Sequence, residues 1–341
     1  MDWFKALTGF AEESPAQVRA NLSMQGDRLV SHVNGRSFGI GTLELPSLGE
    51  LRARATSCGL ARGALRLSVL QGDARRLHGD EAYRGALFQV ASQFNMLEMV
   101  GPSVTPEQGV ARYQDDPTQG PACAIAAGAA TIYRNYFVPM GDQLGQTATR
   151  QLDGLADVGA MLGAALRRPV SELWRMENGY ARCNAAGLKA ISSHLDNAGE
   201  DEIDALRAAL RIGLHSDVEV TDPARDPPIV VSQAFCSALP VAYNPDVARP
   251  GWAPFASLVL EAAYEATLWA GALNASRGGS DKVLLTLVGG GAFGNEDEWI
   301  FPAIRRALDL ASHLPLDVRI VSYGPPTTRL RAFIDDFSRG S

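Results

Sequence analysis

Two hydrophobic patterns alternate along this chain. Short apolar runs at 65–70, 86–92, 218–220, 229–235, 283–288 and 318–322 predict strands, most of them buried. Apolar residues spaced three or four apart, or small residues in series, predict helices at 15–22, 120–132, 152–166, 200–211, 255–273 and 299–310. Strands that alternate with helices are typical of an α/β domain with a mostly parallel sheet and helices on both faces.

The first 55 residues do not fit this alternation. Trp3, Phe4, Leu7 and Phe10 would share one face of a helix, and a hairpin is predicted near 28–43. We therefore predict an N-terminal extension at residues 1–55 and a main domain at 56–341. The segment 213–222 carries alternating acids and predicts a strand at the edge of the sheet.

The segment 282–298, KVLLTLVGGGAFGNEDE, combines a buried-strand pattern with many glycines. Four glycines fall within six positions after the apolar run, and the helical pattern follows. Glycine permits positive φ and has no Cβ, so its backbone can approach a ligand closely. Free N–H groups at such a turn, with a helix dipole behind them, favour a bound phosphate. We predict a phosphate site here; the alternative is a tight turn without a ligand.

A long polar segment, residues 93–124, follows the strand predicted at 86–92. Ligands in α/β sheets bind beyond the carboxyl ends of strands, and long loops in compact domains are usually functional. Asp115 and Asp116 lie just before the next helix, and neighbouring carboxylates can have the separated proton affinities that glycosidic chemistry uses. The alternative is that one of them only caps the helix. Arg134 is expected to meet a phosphate or to pair with a carboxylate of this loop.

Composition excludes several classes of function. The chain has 341 residues, with 46% apolar and 20% charged, which is typical of a globular protein. A net charge of −7 argues against a duplex-DNA partner. The cysteines form no C-x-x-C pair and the histidines no H-E-x-x-H spacing, so no metal site is predicted. No apolar run is long enough for a membrane span, and the N-terminal residues do not show the pattern expected of a signal peptide.

Two segments resemble the macrodomain family. Residues 65–95 match its opening: a strand, a turn at Gly72-Asp73-Ala74, a second strand and a loop containing Asn95. Residues 287–295, LVGGGAFGN, resemble the diphosphate loop of the poly(ADP-ribose) glycohydrolase branch. The resemblance spans roughly residues 64–324. It implies a macrodomain-like three-layer α/β/α fold with a mixed sheet, and a cleft for ADP-ribose.

The resemblance also implies roles for individual residues. Asp73 would accept a hydrogen bond from the adenine amino group, and Asn95 would contact the distal ribose. The loop Gly289–Asn295 would wrap the diphosphate, with Phe293 against a ribose. The implied binding residues are Asp73, Ala74, Asn95, Glu98, Thr118, Gln119, Gly289, Gly290, Gly291, Ala292, Phe293, Gly294 and Asn295. ADP-ribose would be ligand and product, and no cofactor is implied.

The chain departs from the glycohydrolase pattern in the catalytic region. The triple-glycine loop after the asparagine is absent, and the Gln-Glu-Glu run has only a loose counterpart in Gln114-Asp115-Asp116. The chain thus resembles a divergent branch, similar to bacterial effector-type macrodomains that remove single ADP-ribose units from proteins. We predict Asp116 as the first catalytic candidate, followed by Asp115 or Glu107.

The predicted activity is a hydrolase that removes ADP-ribose from an ADP-ribosylated protein by cleaving the C1″ glycosidic bond. One carboxylate would activate water or protonate the leaving group, through an oxocarbenium-like state. The modified protein is the predicted partner, with no nucleic acid or membrane. The predicted location is the cytoplasm, or a host cytosol for a secreted effector.

Three alternatives stay open at this point. The first is a module that binds ADP-ribose without cleaving it. The second is a dinucleotide-dependent oxidoreductase, because Gly289, Gly291 and Gly294 fit G-x-G-x-x-G, although too few elements follow for a full Rossmann domain. The third is a nucleophile at Cys236, whose apolar surroundings favour a core residue instead.

Overall fold

Short strands and helices alternate along most of the computed structural model, which describes residues 2–245 and 247–340. The strands are β1 Leu22–Gln25, β2 Arg28–Ser31, β3 Ser37–Gly39, β4 Thr42–Glu44, β5 Arg66–Gln71, β6 Leu87–Ala91, β7 Pro139–Met140, β8 Gln143–Leu144, β9 Trp174–Glu177, β10 Tyr180–Cys183, β11 Gly213–Glu219, β12 Val230–Cys236, β13 Lys282–Leu285 and β14 Asp317–Ser322. The helices are α1 Trp3–Thr8, α2 Pro15–Asn21, α3 Leu48–Cys58, α4 Ala74–His78, α5 Gln119–Ala126, α6 Gly128–Tyr136, α7 Ala156–Leu166, α8 Val170–Leu173, α9 Ala185–Leu195, α10 Glu200–Ala209, α11 Ala253–Ser276, α12 Asp297–Leu310 and α13 Thr328–Gly340. Single turns of 3₁₀ helix include Ala111–Asp115 and Val241–Tyr243.

A seven-stranded mixed sheet forms the centre, in the order β4-β11-β12-β6-β13-β14-β5. The five strands β12-β6-β13-β14-β5 are parallel to one another. Strand β11 runs antiparallel to both of its neighbours, β12 and β4. Five adjacent strands therefore present their carboxyl ends at one edge, where α/β sheets bind ligands.

Helices cover both faces of this sheet, and the alternation along β6 shows how. Leu87 packs into the large apolar cluster that contains most of α11 and α12. Phe88 points to the other face, where it packs with Ala130 of α6 and with Ala127, the residue between α5 and α6. Gln89 returns to the α11 side, where its Nε2 donates to the Thr267 hydroxyl at 2.9 Å. The period of two is that of a strand with two buried faces, and the predicted α/β class is confirmed.

The N-terminal residues dock on the main domain. The small sheet β1-β2-β3 and the helices α1 and α2 pack beside α6. Strand β4 then enters the central sheet, and α3 crosses residue 55 with Leu48 and Leu51 in the main core. The predicted division at residue 55 stays a prediction, since continuous packing surrounds it.

Most strongly periodic segments form the predicted elements. The strands predicted at 65–70, 86–92 and 318–322 correspond to β5, β6 and β14, and the helices predicted at 15–22, 152–166, 200–211, 255–273 and 299–310 correspond to α2, α7, α10, α11 and α12. The sequence pattern did not indicate α3, α4, α8, α9, α13 or the hairpin β9-β10. No helix within the described residues is long and apolar enough to cross a bilayer.

The prediction of a single helix at 120–132 is wrong, because this segment contains two helices, α5 and α6, separated at Ala127. Thr221 supplies the competing partners: its N–H donates to Ala126 O at 2.8 Å, and its hydroxyl accepts from Gly128 N at 2.9 Å. The small residues do allow the expected close packing. A Cβ on Gly128 would lie 2.7 Å from the Trp3 ring.

Two strand predictions also need correction. The segment 213–222 does not lie at the edge of the sheet, because β4 pairs with the outer side of β11. The strand predicted at 283–288 ends at Leu285. Beyond that residue, Val288 N donates to the Tyr264 hydroxyl at 2.9 Å instead of to a neighbouring strand.

Candidate functional site

A crevice opens between β6 and β13 at the carboxyl edge of the sheet. The two strands pair only at Leu87 with Val283 and at Phe88 with Leu284, and then diverge. The Gln119 amide replaces the missing strand: its Nε2 donates to Gln89 O at 2.9 Å, and its Oε1 accepts from Ala91 N at 3.0 Å. These two backbone groups of β6 are thereby satisfied without closing the crevice.

The crevice holds a cavity of about 390 Å³. Residues 92–118, here called the acidic connector, line one side, and Gly289–Asn295, here called the glycine loop, lines the other. The predicted residues in its lining are Glu98, Asp116, Thr118, Gln119, Gly289, Gly291, Ala292 and Phe293. The structure thus brings together the two segments that the sequence singled out, which lie on neighbouring strands.

The glycine loop has a fixed shape. Gly289 and Gly294 have φ of +76° and +72°. Asn295 closes the loop, since its N–H donates to Gly289 O at 2.9 Å and its buried Nδ2 donates to Leu239 O at 2.8 Å. A Cβ on Gly289 would lie 2.5 Å from Ala238 Cβ, so this position requires glycine both for its φ and for its space. Gly290, Gly294 and Asn295 shape the loop from outside the cavity lining.

The loop also presents free main-chain donors. Within the described residues, the N–H groups of Gly289, Gly291, Ala292 and Phe293 donate to no protein acceptor, and all four residues line the cavity. Unpaired amides that converge on a cavity form an anion-binding surface. The expected contribution of the α12 dipole is weakened, because Asp297 and Glu298 already occupy its first turn.

Three aromatic rings form one wall of the cavity. Phe293 lies 5.2 Å from Tyr180 and 5.7 Å from Tyr243, measured between ring centroids. The Tyr180 hydroxyl donates to Met99 O at 2.8 Å, which ties the wall to the acidic connector. Phe293 and Tyr243 remain partly exposed, so their faces can contact a sugar or another planar group.

A buried carboxyl group lies on the connector side. Glu98 is 1% exposed, and neither of its carboxyl oxygens has a hydrogen-bond partner among the described residues. The Arg134 guanidinium is 3.6 Å away, and it also donates to Met96 O and Thr131 Oγ1. Burial raises the pKa of Glu98 to about 8, against the opposing effect of Arg134. Of the two expectations for Arg134, contact with a carboxyl group of the loop is the one observed.

The three predicted catalytic carboxylates separate in the structure. Asp116 lines the cavity, and its Oδ1 accepts from Thr118 N at 2.8 Å. Asp115 is exposed on the 3₁₀ turn, outside the cavity lining. Glu107 also lies outside, where its Oε1 accepts from Ala148 N at 2.9 Å. The order of these three residues in the sequence did not indicate that they would be separated in space.

Asp73, Ala74 and Asn95 do not reach this cavity. Asp73 follows β5 at the same edge of the sheet and caps α4, accepting from Arg75 N at 2.9 Å, and Ala74 is buried. Asn95 is fully buried, its Nδ2 donating to Gln151 and its Oδ1 accepting from Leu97 N. The expected ribose contact of Asn95 stays a prediction; in this structure both ends of its amide are bonded within the protein.

Several lining residues were missed from the sequence. They are Ser92, Gln93, Tyr180, Ala238 and Tyr243. Tyr243 follows β12, so the rule that ligands lie beyond strand ends was sufficient to find it. Tyr323, directly after β14, satisfies the same rule and also lines the cavity. Tyr180 comes from the unpredicted hairpin β9-β10, and no signal in the sequence places that hairpin at the crevice.

Cys236 is a core residue, as its surroundings indicated. It is fully buried, and burial raises the pKa of its thiol to about 11, which disfavours the nucleophilic thiolate. In the parts of the chain that the structure describes, no group of histidine, cysteine and acidic side chains is arranged to hold a metal ion.

Comparisons with known proteins give only remote similarity. No protein-family model matches the chain, and no curated protein matches it by sequence. Among solved structures, it is similar to poly(ADP-ribose) glycohydrolase from Deinococcus radiodurans in complex with ADP-ribose, at 13% identity and a TM-score of 0.43, over 87% of this chain and 94% of that chain. It is also similar to the glycohydrolase from Thermomonospora curvata bound to the inhibitor ADP-HPD, at 14% identity and a TM-score of 0.41, over 96% and 97% of the two chains.

Proposed function

We propose that the crevice binds ADP-ribose, and that the chain is a hydrolase that removes ADP-ribose from ADP-ribosylated proteins. The observation that carries this proposal is the set of unpaired glycine-loop amides, which belong to residues that line one cavity together with Glu98 and Asp116. A diphosphate fits such donors, because main-chain amides can bind an anion without help from basic side chains. The glycine loop contains no basic side chain.

The adenosine half would extend toward β14 and β5. Tyr323 lines the cavity with 82% of its surface exposed, so one ring face is available to a planar base. Asp73 lies at the end of the adjoining strand β5, where its second carboxyl oxygen, 4.0 Å from Arg76 Nε, would accept from an adenine amino group. On the opposite side, the distal ribose would meet Phe293 and the connector.

Two carboxyl groups that line one cavity suit cleavage at C1″. Glu98 retains its proton near neutral pH and can donate it to the leaving atom. Asp116 lies in a more open position, where a carboxylate can activate the attacking water. The C1″ bond breaks as the water oxygen adds to C1″ and the leaving group takes the proton.

Calorimetry with free ADP-ribose, NAD and ATP tests the binding step. We expect micromolar affinity for ADP-ribose and weaker binding of the other two ligands, because neither presents a free distal ribose to the connector. A flat trace with ADP-ribose would remove the whole proposal.

Release of ADP-ribose from a mono-ADP-ribosylated protein tests the chemical step. Asp116→Asn and Glu98→Gln should each lower the rate by about 100-fold or more, with ADP-ribose affinity kept within about twofold. Asp115→Asn and Glu107→Gln are matched controls, since both carboxylates lie outside the cavity, and should retain full activity. Full activity in both cavity variants would exclude this mechanism.

A binding module without hydrolysis is the second candidate. The position of the predicted catalytic carboxylates favours it, since Asp116 alone of the three lines the cavity. Micromolar ADP-ribose binding without release from any modified protein would establish this alternative.

The oxidoreductase alternative fits the topology poorly. A dinucleotide fold needs several strands beyond its glycine-rich turn. In the described part of the chain, β14 is the one strand that follows the glycine loop, and earlier segments complete the sheet.

A further inference from the structure

The N-terminal segment, residues 2–21, reaches the acidic connector through a carboxylate. Glu12 Oε2 accepts from Ala111 N at 2.6 Å, and Glu12 Oε1 accepts from the Tyr136 hydroxyl at 2.7 Å. The Trp3 indole N–H donates to Ala111 O at 3.2 Å. Both backbone groups of Ala111 are therefore held by side chains that lie about 100 positions earlier in the sequence.

The connector is shaped to receive this carboxylate. Gly109 has φ of +86°, and a Cβ at this position would lie 2.3 Å from a Glu12 oxygen. Glycine alone satisfies both the backbone conformation and the space. The half-buried Glu12 carboxylate accepts two charge-assisted hydrogen bonds, which strongly constrains the connector at this point.

The constraint leads directly to the cavity. Ala111 begins the 3₁₀ turn Ala111–Asp115, and Asp116 follows it. Tyr113, in the same turn, is fully buried, and its hydroxyl accepts from Glu98 N at 3.0 Å. The turn that Glu12 holds thus contacts Glu98 through Tyr113 and leads directly into Asp116.

We propose that Glu12 is a positioning residue, which with Trp3 fixes the acidic connector so that Asp116 and Glu98 face the crevice. The N-terminal segment is then part of the hydrolase and not a separate recruitment element. The effect on catalysis rests on the proposed function, whereas the effect on the order of the connector does not.

Hydrogen exchange with mass spectrometry tests this inference in the full chain. Glu12→Ala should speed exchange of the amides at 109–116 by about tenfold or more, while amides of the glycine loop stay unchanged. Gly109→Ala should reproduce the effect from the other side of the contact. Glu13→Ala is the matched control, because this neighbouring carboxylate is exposed.

Kinetics separates positioning from general destabilisation. Glu12→Ala should lower kcat by about tenfold and leave ADP-ribose affinity within about twofold, since the glycine loop is untouched. Glu12→Gln keeps one acceptor oxygen and should recover part of the rate. If wild-type protein binds no ADP-ribose, the proposed function fails while the exchange result still decides the role of Glu12. Unchanged exchange at 109–116, or an equal increase across the whole chain, would overturn the inference.

Discussion

The glycine loop and the acidic connector face each other across one crevice, but they are built differently. The glycine loop is closed within itself by Asn295 N to Gly289 O, and Asn295 Nδ2 to Leu239 O adds one anchor from outside the loop. The connector is held by side chains from distant parts of the chain, including Glu12, Arg134 and Tyr180. A site made of main-chain amides can thus be encoded in a few adjacent residues, whereas a site made of carboxyl groups depends on the whole fold.

The two regions also differ in electrostatics. The glycine loop offers uncharged donors, which need no compensating partner in a folded protein when they face solvent. The connector buries Glu98 beside Arg134, and a buried acid is costly in its charged form. The pH of the medium should therefore act on the connector much more than on the glycine loop.

The largest expected effect is the pH dependence of stability from Glu98. Its folded-state pKa is about 8, against an ordinary value of 4.5. Between these values the folded protein retains a proton that the unfolded chain has lost, so the free energy of unfolding falls as pH rises and levels off above pH 8. Glu98→Gln should remove this loss, which amounts to a few kcal/mol.

Denaturant unfolding at pH 5, 6.5 and 8 measures this difference. The comparison between wild type and Glu98→Gln isolates the group, because buried histidines such as His78, whose pKa falls to about 4, contribute equally to both proteins. Parallel pH profiles for the two proteins would show that Glu98 is not held protonated.

On the opposite side of the crevice, Gly289→Ala should weaken ADP-ribose binding by about 100-fold. The new Cβ meets Ala238 and requires a strained φ of +76°, so the free amides lose their alignment with the diphosphate. Calorimetry measures the loss. Gly101→Ala in the connector is the control, since its φ is not positive and a Cβ there meets no described atom within 4 Å. Equal affinity in the two variants would mean that the loop amides are not the anion site.

Gln119→Ala tests the floor that separates the two regions. It leaves Gln89 O and Ala91 N without their partner at the end of β6, and should lower the free energy of unfolding by about 2 kcal/mol. Thermal and denaturant unfolding measure this change. Gln114→Ala, on the exposed 3₁₀ turn, should change stability by less than about 0.5 kcal/mol. A neutral Gln119→Ala would indicate that water replaces the amide.

The same difference explains what the sequence could predict. The glycine loop was recognised because its chemistry lies in adjacent glycines after an apolar run, and the parallel strands followed from periodicity. The positions of Asp115 and Glu107 could not be predicted, because a 3₁₀ turn held by Glu12 and a contact to Ala148 direct them away from the cavity. The burial of Glu98 likewise depends on Arg134, which contacts it from helix α6.

The smallest expected effect concerns a residue that belongs to neither region. Tyr323 follows β14, and its exposed ring can stack on adenine without supporting the fold. Tyr323→Ala should leave stability unchanged and weaken ADP-ribose binding by about threefold to tenfold, while binding of ribose 5-phosphate should not change. Calorimetry with both ligands separates the base from the phosphate. Equal losses for the two ligands would place the base elsewhere and assign Tyr323 to the phosphate side, which would reverse the proposed direction of ADP-ribose along the crevice.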